Sequence, residues 1–339
     1  MALQWQGADS IHRADLFRSG APGYWSCTWS LVRRTRVQEL MKNDEIDDSK
    51  KTNQVSVGSE SADLSRRVVR GFGEEWSRFT NQALSAHELQ EMFELYAAIF
   101  PWRDLPKDAV GFDAGCGSGR WAAFFAPRVG LLHCIDASDA ALEIARRTLV
   151  EHPNVVFHHQ DICELGLPDD SCDFGYSLGV LHHIPDTELA TAKCVQKLKP
   201  GAPFLVYLYY DLDNRGPLQR LLLAVVTAIR HVVARLPRRI RLLVADVIGV
   251  LVYWPLARFA KLLEKAGRDP SWVPLFQYRR RSFYVMRNDA LDRFGTRLEK
   301  RYSRDDVRLL LETAGLENVV FAEGPPWWVA VGWRSQGSR

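Results

Sequence analysis

Residues 110–121 read Val-Gly-Phe-Asp-Ala-Gly-Cys-Gly-Ser-Gly-Arg-Trp, and the fold turns on this stretch. A short apolar lead-in ends at Asp113. Gly115, Gly117 and Gly119 follow at alternate positions, and residues 120–125 open a helix. Glycines let the chain turn sharply and let a ligand lie against bare backbone. The first turn of a helix presents free N–H groups, a seat for a carboxylate or phosphate. Dinucleotide sites carry G-x-G-x-x-G at such a turn. Here the spacing is G-x-G-x-G, with Arg120 where a third dinucleotide glycine would fall.

Working outward, residues 108–211 alternate strand and helix, the pattern of a parallel sheet with helices on both faces. The expected strands are Ala109–Asp113, Leu131–Ile135, Val155–His158, Phe174–Ser177 and Pro203–Tyr210. Ser138 caps the helix after the second strand, and Pro200-Gly201 stops the helix after the fourth. At the far end Ser303 and Asp306 suit the start of a helix carrying Val307, Leu310, Leu311 and Ala314 on one face. Strands follow over Val319–Ala322 and Trp327–Trp333. Ligands of such sheets sit beyond the carboxyl ends of the strands.

Upstream, residues 1–67 lack a packing pattern and are expected to be a poorly ordered extension, with Met41 as an alternative start. Residues 68–107 read as a helical lid segment. Leu89, Met92, Phe93, Tyr96 and Phe100 recur at helical spacing up to Pro101, and Trp76, Arg78 and Phe79 are lid candidates. Residues 214–285 interrupt the core pattern before it resumes over 286–339. Two apolar helices, Leu218–Ala234 and Ile240–Leu263, flank Leu236-Pro-Arg-Arg239, and Arg and Lys crowd the segment. It is read either as a cap over the substrate or as a surface that lies on anionic membrane through residues 214–268. No apolar run reaches the roughly 20 residues that span a bilayer, and Asp246 and Pro255 interrupt the longest.

Composition narrows the function classes. A net charge of +3 does not argue for a nucleic-acid partner. The six cysteines are scattered without a C-x-x-C pair, which fits a reducing cytoplasm and supports no metal site.

The chemistry-bearing residues follow the strand ends. Asp136 falls 17 positions after Gly119, where a carboxylate accepts the ribose hydroxyls of an adenosine. Asp161-Ile162 follows the third strand. Leu167–Asp186, with His182-His183, surrounds the fourth, and Lys199-Pro-Gly201 precedes the fifth. With Asp113-x-Gly-x-Gly-x-Gly, this set resembles the class I S-adenosylmethionine-dependent methyltransferases, and in particular the small-molecule enzymes of ubiquinone and menaquinone type. The resemblance covers Ala109–Tyr210 and Arg301–Trp333.

It implies an α/β fold: a doubly wound seven-stranded Rossmann-like sheet with one antiparallel strand, here with a helical insertion before the last helix and strands. It implies S-adenosyl-L-methionine as cofactor. Asp113, Gly115, Cys116, Gly117 and Gly119 would surround the methionine part, and Asp136 with Ala137 the ribose. Asp161 and Ile162 would hold the adenine, and Ser177 and Leu178 would border the sulfonium. His183, or His182 beside it, is the candidate base, with Tyr209, Tyr210 and Asp211 as further candidates on the acceptor side. Trp76 and Tyr209 are candidates for cation–π contact with the sulfonium. The acceptor is expected to be a small or lipid-like molecule. Two rival readings are an NAD-linked oxidoreductase, and an inactive cofactor-binding scaffold docked to a membrane or partner.

Overall fold

The computed structural model of the chain describes residues 86–211, 216–296 and 298–337. The extension, most of the lid segment, and Trp76, Arg78 and Phe79 lie outside the described residues.

Seven strands form one sheet: β1 (Val110–Ala114), β2 (Leu131–Asp136), β3 (Val155–His159), β4 (Phe174–Leu178), β5 (Pro203–Tyr207), β6 (Leu316–Phe321) and β7 (Val329–Arg334). Their order is β3-β2-β1-β4-β5-β7-β6. β1 to β5 pair in parallel, and β7 runs antiparallel to both β5 and β6. A dinucleotide sheet has six strands in the order 3-2-1-4-5-6; the antiparallel β7 slotted beside β5 departs from it and matches the expected architecture.

Side-chain alternation along the strands feeds two cores. Phe112, Phe204 and Val206 enter one, under α4 (Thr187–Lys197) and α9 (Arg304–Thr313). Phe174, Tyr176 and Leu205 enter the other, under α1 (Ala86–Tyr96), α2 (Ala122–Phe125) and α3 (Asp139–Thr148). Period-two alternation with apolar residues at nearly every position is what a sheet covered on both faces requires. Helix starts are chemically marked: Ser138 accepts from Ala141 N, Asp186 from Leu189 N, and Ser303 with Asp306 completes a capping box.

The insertion holds α5 (Pro217–Val233), α6 (Arg238–Ile248), α7 (Trp254–Lys265) and α8 (Phe283–Gly295), so it runs past the boundary expected at residue 285. Val233, Tyr253, Ala257, Met286, Ala290 and Phe294 form its own small core. α8 went unread in the sequence because its polar residues blur the helical period. It packs against α5 and α6, and Ser282, which caps it, donates its backbone N–H to Glu88 of α1 at 2.8 Å.

Three elements depart from expectation. α1 ends at Tyr96, and residues 97–99 turn before Pro101. β5 ends at Tyr207, short of Tyr210. α6 and α7 are continuous through a π turn at Gly249–Tyr253, which carries the chain past Pro255. The resulting helix, Arg238–Lys265, is by length and composition long and apolar enough to cross a bilayer. That corrects the expectation that no such run exists.

Candidate active site

The carboxyl ends of β1, β2 and β4 open onto one cleft, and the loops after them line it. Gly115, Gly117 and Gly119 all adopt positive φ (85°, 53° and 75°), a region that side chains enter only with strain. A Cβ on Gly115 would stand 2.4 Å from Val180, so the β1 loop closes against the β4 loop through bare backbone. Asp136, at the tip of β2, holds this loop. Its Oδ2 accepts from Gly117 N at 2.9 Å, and its Oδ1 from Ser138 N at 2.8 Å. Burial pushes its carboxyl above the ordinary range, against the pull of these two donors. Asp161 caps the short turn Ile162–Glu164, accepting from Cys163 N at 2.9 Å.

The cleft encloses about 1200 Å³ counting its open mouth. Of the thirteen candidates for cofactor binding and the base His183 or His182, nine line it: Gly115, Cys116, Gly117, Asp136, Ala137, Asp161, Ile162, Leu178 and His183.

Four stand behind the wall. Asp113 is buried beneath the loop, where burial raises its carboxyl to about 8. Gly119 faces inward, its absent Cβ leaving space for Ala145 and Leu149 of α3. Ser177 donates its hydroxyl to Ala114 O at 2.8 Å and locks β4 to β1. His182 is fully buried and stacks on Tyr209 at 4.0 Å; burial pushes its imidazole well below the ordinary value, so it stays neutral.

The half of the cleft around His183 is made by residues far apart in the chain. His183 sits in the short turn after β4, and its Nδ1 lies 2.6 Å from Leu298 O. A carbonyl cannot donate, so Nδ1 carries a proton. Nε2 lies 3.7 Å from Oδ1 of Asp292, on α8. The Tyr209 hydroxyl donates to the other oxygen, Oδ2. Burial raises the Asp292 carboxyl, and Oδ1 makes no hydrogen bond among the described residues. Asn288, one turn earlier on α8, also lines the cleft, and its Oδ1 makes no hydrogen bond among the described residues. The strap that orients the histidines is itself tied down, since Lys300 N donates to His182 O at 3.0 Å.

Tyr96, Trp121, Tyr207 and Tyr209 form an aromatic wall: Tyr96 stands 5.0 Å from Trp121 and 4.9 Å from Tyr207, centroid to centroid. Arg120 lines the cleft with its guanidinium 4.4 Å from the Trp121 ring. Asp292, Asn288, Tyr207 and Tyr96 were missed as site residues. The signal for the first two was the i, i+4 spacing of Asn288 and Asp292, which puts both on one helix face. Of the sequence-derived acceptor candidates, Tyr209 lines the cleft. Tyr210 and Asp211 are drawn instead toward Tyr302, by a bridge and by a backbone bond at 3.2 Å.

Comparison with known proteins agrees with the geometry. Residues 112–206 match the family model described as a methyltransferase domain. The chain is 33% identical over 128 residues to the ubiquinone biosynthesis O-methyltransferase of Saccharophagus degradans, covering 37% of this chain and 52% of that one. It is 34% identical over 100 residues to phosphoethanolamine N-methyltransferase 2 of Caenorhabditis elegans, covering 29% and 23%. The chain thus spans about half the length, or less, of these curated relatives. An N-methyltransferase of Bradyrhizobium japonicum, solved with S-adenosyl-L-homocysteine, superposes with a TM-score of 0.32 and 19% identity, covering 37% of this chain and 62% of that one. By this match, residues 112–206 are a methyltransferase domain.

Proposed function

We propose that the protein transfers a methyl group from S-adenosylmethionine to a small or lipid-like acceptor held in the same cleft. The observation that carries this reading is the meeting of Asp136, Asp161 and the bare loop at Gly115–Gly117 with His183 and Asp292 around one space.

On the cofactor side, the Gly115–Gly117 backbone faces the methionine part, with Arg120 as counter-charge for its carboxylate. Asp136 still has lone pairs for the ribose hydroxyls after its two backbone bonds. Asp161 and the Ile162 N–H would hold the adenine, and Leu178 would lie on the sulfonium side. The aromatic wall suits a sulfonium by cation–π attraction, and it suits a flat or lipid-like acceptor by burial.

The cofactor supplies a methyl on a sulfonium whose leaving group is neutral, so one in-line displacement suffices. The protein's part is to align the groups, which contributes up to roughly 7–11 kcal/mol in well-oriented reactions. A hydroxyl or ammonium acceptor also loses a proton, and His183 Nε2 takes it. Leu298 O holds the opposite nitrogen, Nδ1, where the carboxylate of a catalytic triad sits, and Asp292 faces the proton that Nε2 gains. The reading places the enzyme in the cytoplasm, where the free thiols of Cys116, Cys134, Cys163, Cys172 and Cys194 stay reduced.

The test incubates the protein with methyl-labelled S-adenosylmethionine and fractionated cell extract. Label in a small or solvent-extractable molecule supports the reading. Label confined to nucleic acid or protein, or no transfer at all, contradicts it, and the last result favours the inactive scaffold.

A further inference from the structure

The insertion has two faces. The inner one, on α8, gives Asn288 and Asp292 to the cleft. The outer one is apolar and open. On α5, Leu221, Val225, Ile229 and Val232 recur at helical spacing, all exposed. On the continuous helix of α6 and α7, Ile240, Leu243, Val247, Val250, Leu251, Trp254 and Leu262 do the same, with Leu243, Leu251 and Leu262 each above 60% exposed. Scattered exposed leucines are ordinary, but a stripe about 33 Å long on one helix is not.

Charge says what fits it. Exposed Arg235, Arg238 and Arg239 crowd the turn between α5 and α6 at one end of the stripe. Exposed Lys265, the last residue of α7, and Arg268 beyond it stand at the other. The three acids of residues 216–272 are engaged: Asp246 accepts from Arg287 at 2.9 Å, Glu264 from Arg279 and Arg280, and Asp269 from Ser271. An apolar stripe bracketed by cations matches a bilayer surface carrying anionic headgroups.

The same helix is held against crossing the bilayer. Its opposite side is fastened to α8 by the Asp246–Arg287 pair and by the Tyr253 hydroxyl, which donates to Asp289 at 2.6 Å. Leaving the protein for the bilayer centre would strip those groups of their partners.

We propose that the outer face of α5, α6 and α7 docks on an anionic phospholipid surface, with the apolar stripe in the headgroup region and the terminal arginines and lysines on the phosphates. Docking there sets the acceptor wall of α8 directly behind the membrane-facing helices, as a lipid-like methyl acceptor would need. That consequence rests on the proposed methyl transfer; the docking does not, and it is measured without a methyl donor.

The experiment sediments the full chain with vesicles of phosphatidylcholine alone or mixed with phosphatidylglycerol. Binding to the mixed vesicles is expected to be tighter by roughly tenfold or more and to weaken with salt. Arg235→Glu with Arg239→Glu, and separately Leu243→Asp with Leu251→Asp, should each abolish the preference, while thermal melting and S-adenosylhomocysteine affinity show the fold retained. If a paired variant fails to fold, Leu251→Asp alone gives the same readout. Equal binding to both vesicle types overturns the proposal. So does no binding at all, whether the chain is then monomeric or forms a dimer that Leu251→Asp disrupts.

Discussion

The rim over β1 and β2 and the helical insertion are built on opposite plans. The rim is set by backbone: three glycines at positive φ and a carboxylate that binds two N–H groups of the loops beside it. The insertion is set by side chains brought together over long distances, with Tyr209, His183 and Asp292 meeting from three separate elements. A backbone-built site tolerates almost no change at its turns but is indifferent to what lies elsewhere. A side-chain-built site loses function without losing shape. The contrast predicts that substitutions in the two regions fail in different ways.

The largest effect is expected at Gly115. Alanine there must hold a φ of 85° and place its Cβ 2.4 Å from Val180. Strain and overpacking of about 1–3 kcal/mol each should weaken S-adenosylhomocysteine binding roughly 1,000-fold, read by calorimetry. An affinity within tenfold of the parent would erase the distinction between the two regions.

Next is Asp292→Asn, which keeps the shape of the side chain and removes its charge. Turnover on the acceptor found by label transfer should fall about 100-fold, while cofactor affinity stays within about threefold. Equal losses in both would mean that α8 serves the cofactor and that the division is drawn in the wrong place.

Tyr253→Phe sharpens the comparison within the insertion. It removes one donor from Asp289, which remains paired with Arg293. The expected cost is about 1–2 kcal/mol of stability, read by denaturant unfolding, with cofactor affinity unchanged.

A pH-dependent effect concerns Asp113, under the loop. Its folded carboxyl is raised to about 8 from an ordinary 3.8, so the folded state holds a proton that the unfolded state gives up. Its contribution to stability is therefore full below about pH 4 and is lost as pH rises toward 8. Asp113→Asn should flatten the dependence of melting temperature on pH, and the difference in the variant's favour should grow from pH 5 to pH 8. A constant difference would show that Asp113 does not titrate in this window.

The same contrast explains what could be read from the chain. Gly115, Gly117, Asp136 and Asp161 were legible because strand ends and positive-φ turns leave local marks, and all four line the cleft. Gly119 and Ser177 carried the same marks but serve packing, since one step along a turn or strand reverses the direction a residue faces. Asp292 and Asn288 left only a faint i, i+4 signal, because their place depends on how α8 packs beneath α5 and α6. The continuous helix through Pro255 was hidden for a similar reason. A π turn reregisters the backbone, and no residue type announces it.

The most direct measurement is a calorimetric titration of the protein and of Asp136→Ala with S-adenosylhomocysteine and, in parallel, NADH. The account predicts micromolar binding of S-adenosylhomocysteine, weakened about 100-fold when the carboxylate that holds Gly117 and Ser138 is removed, and no binding of NADH. Tight binding of NADH, or S-adenosylhomocysteine affinity that survives the loss of Asp136, would contradict it.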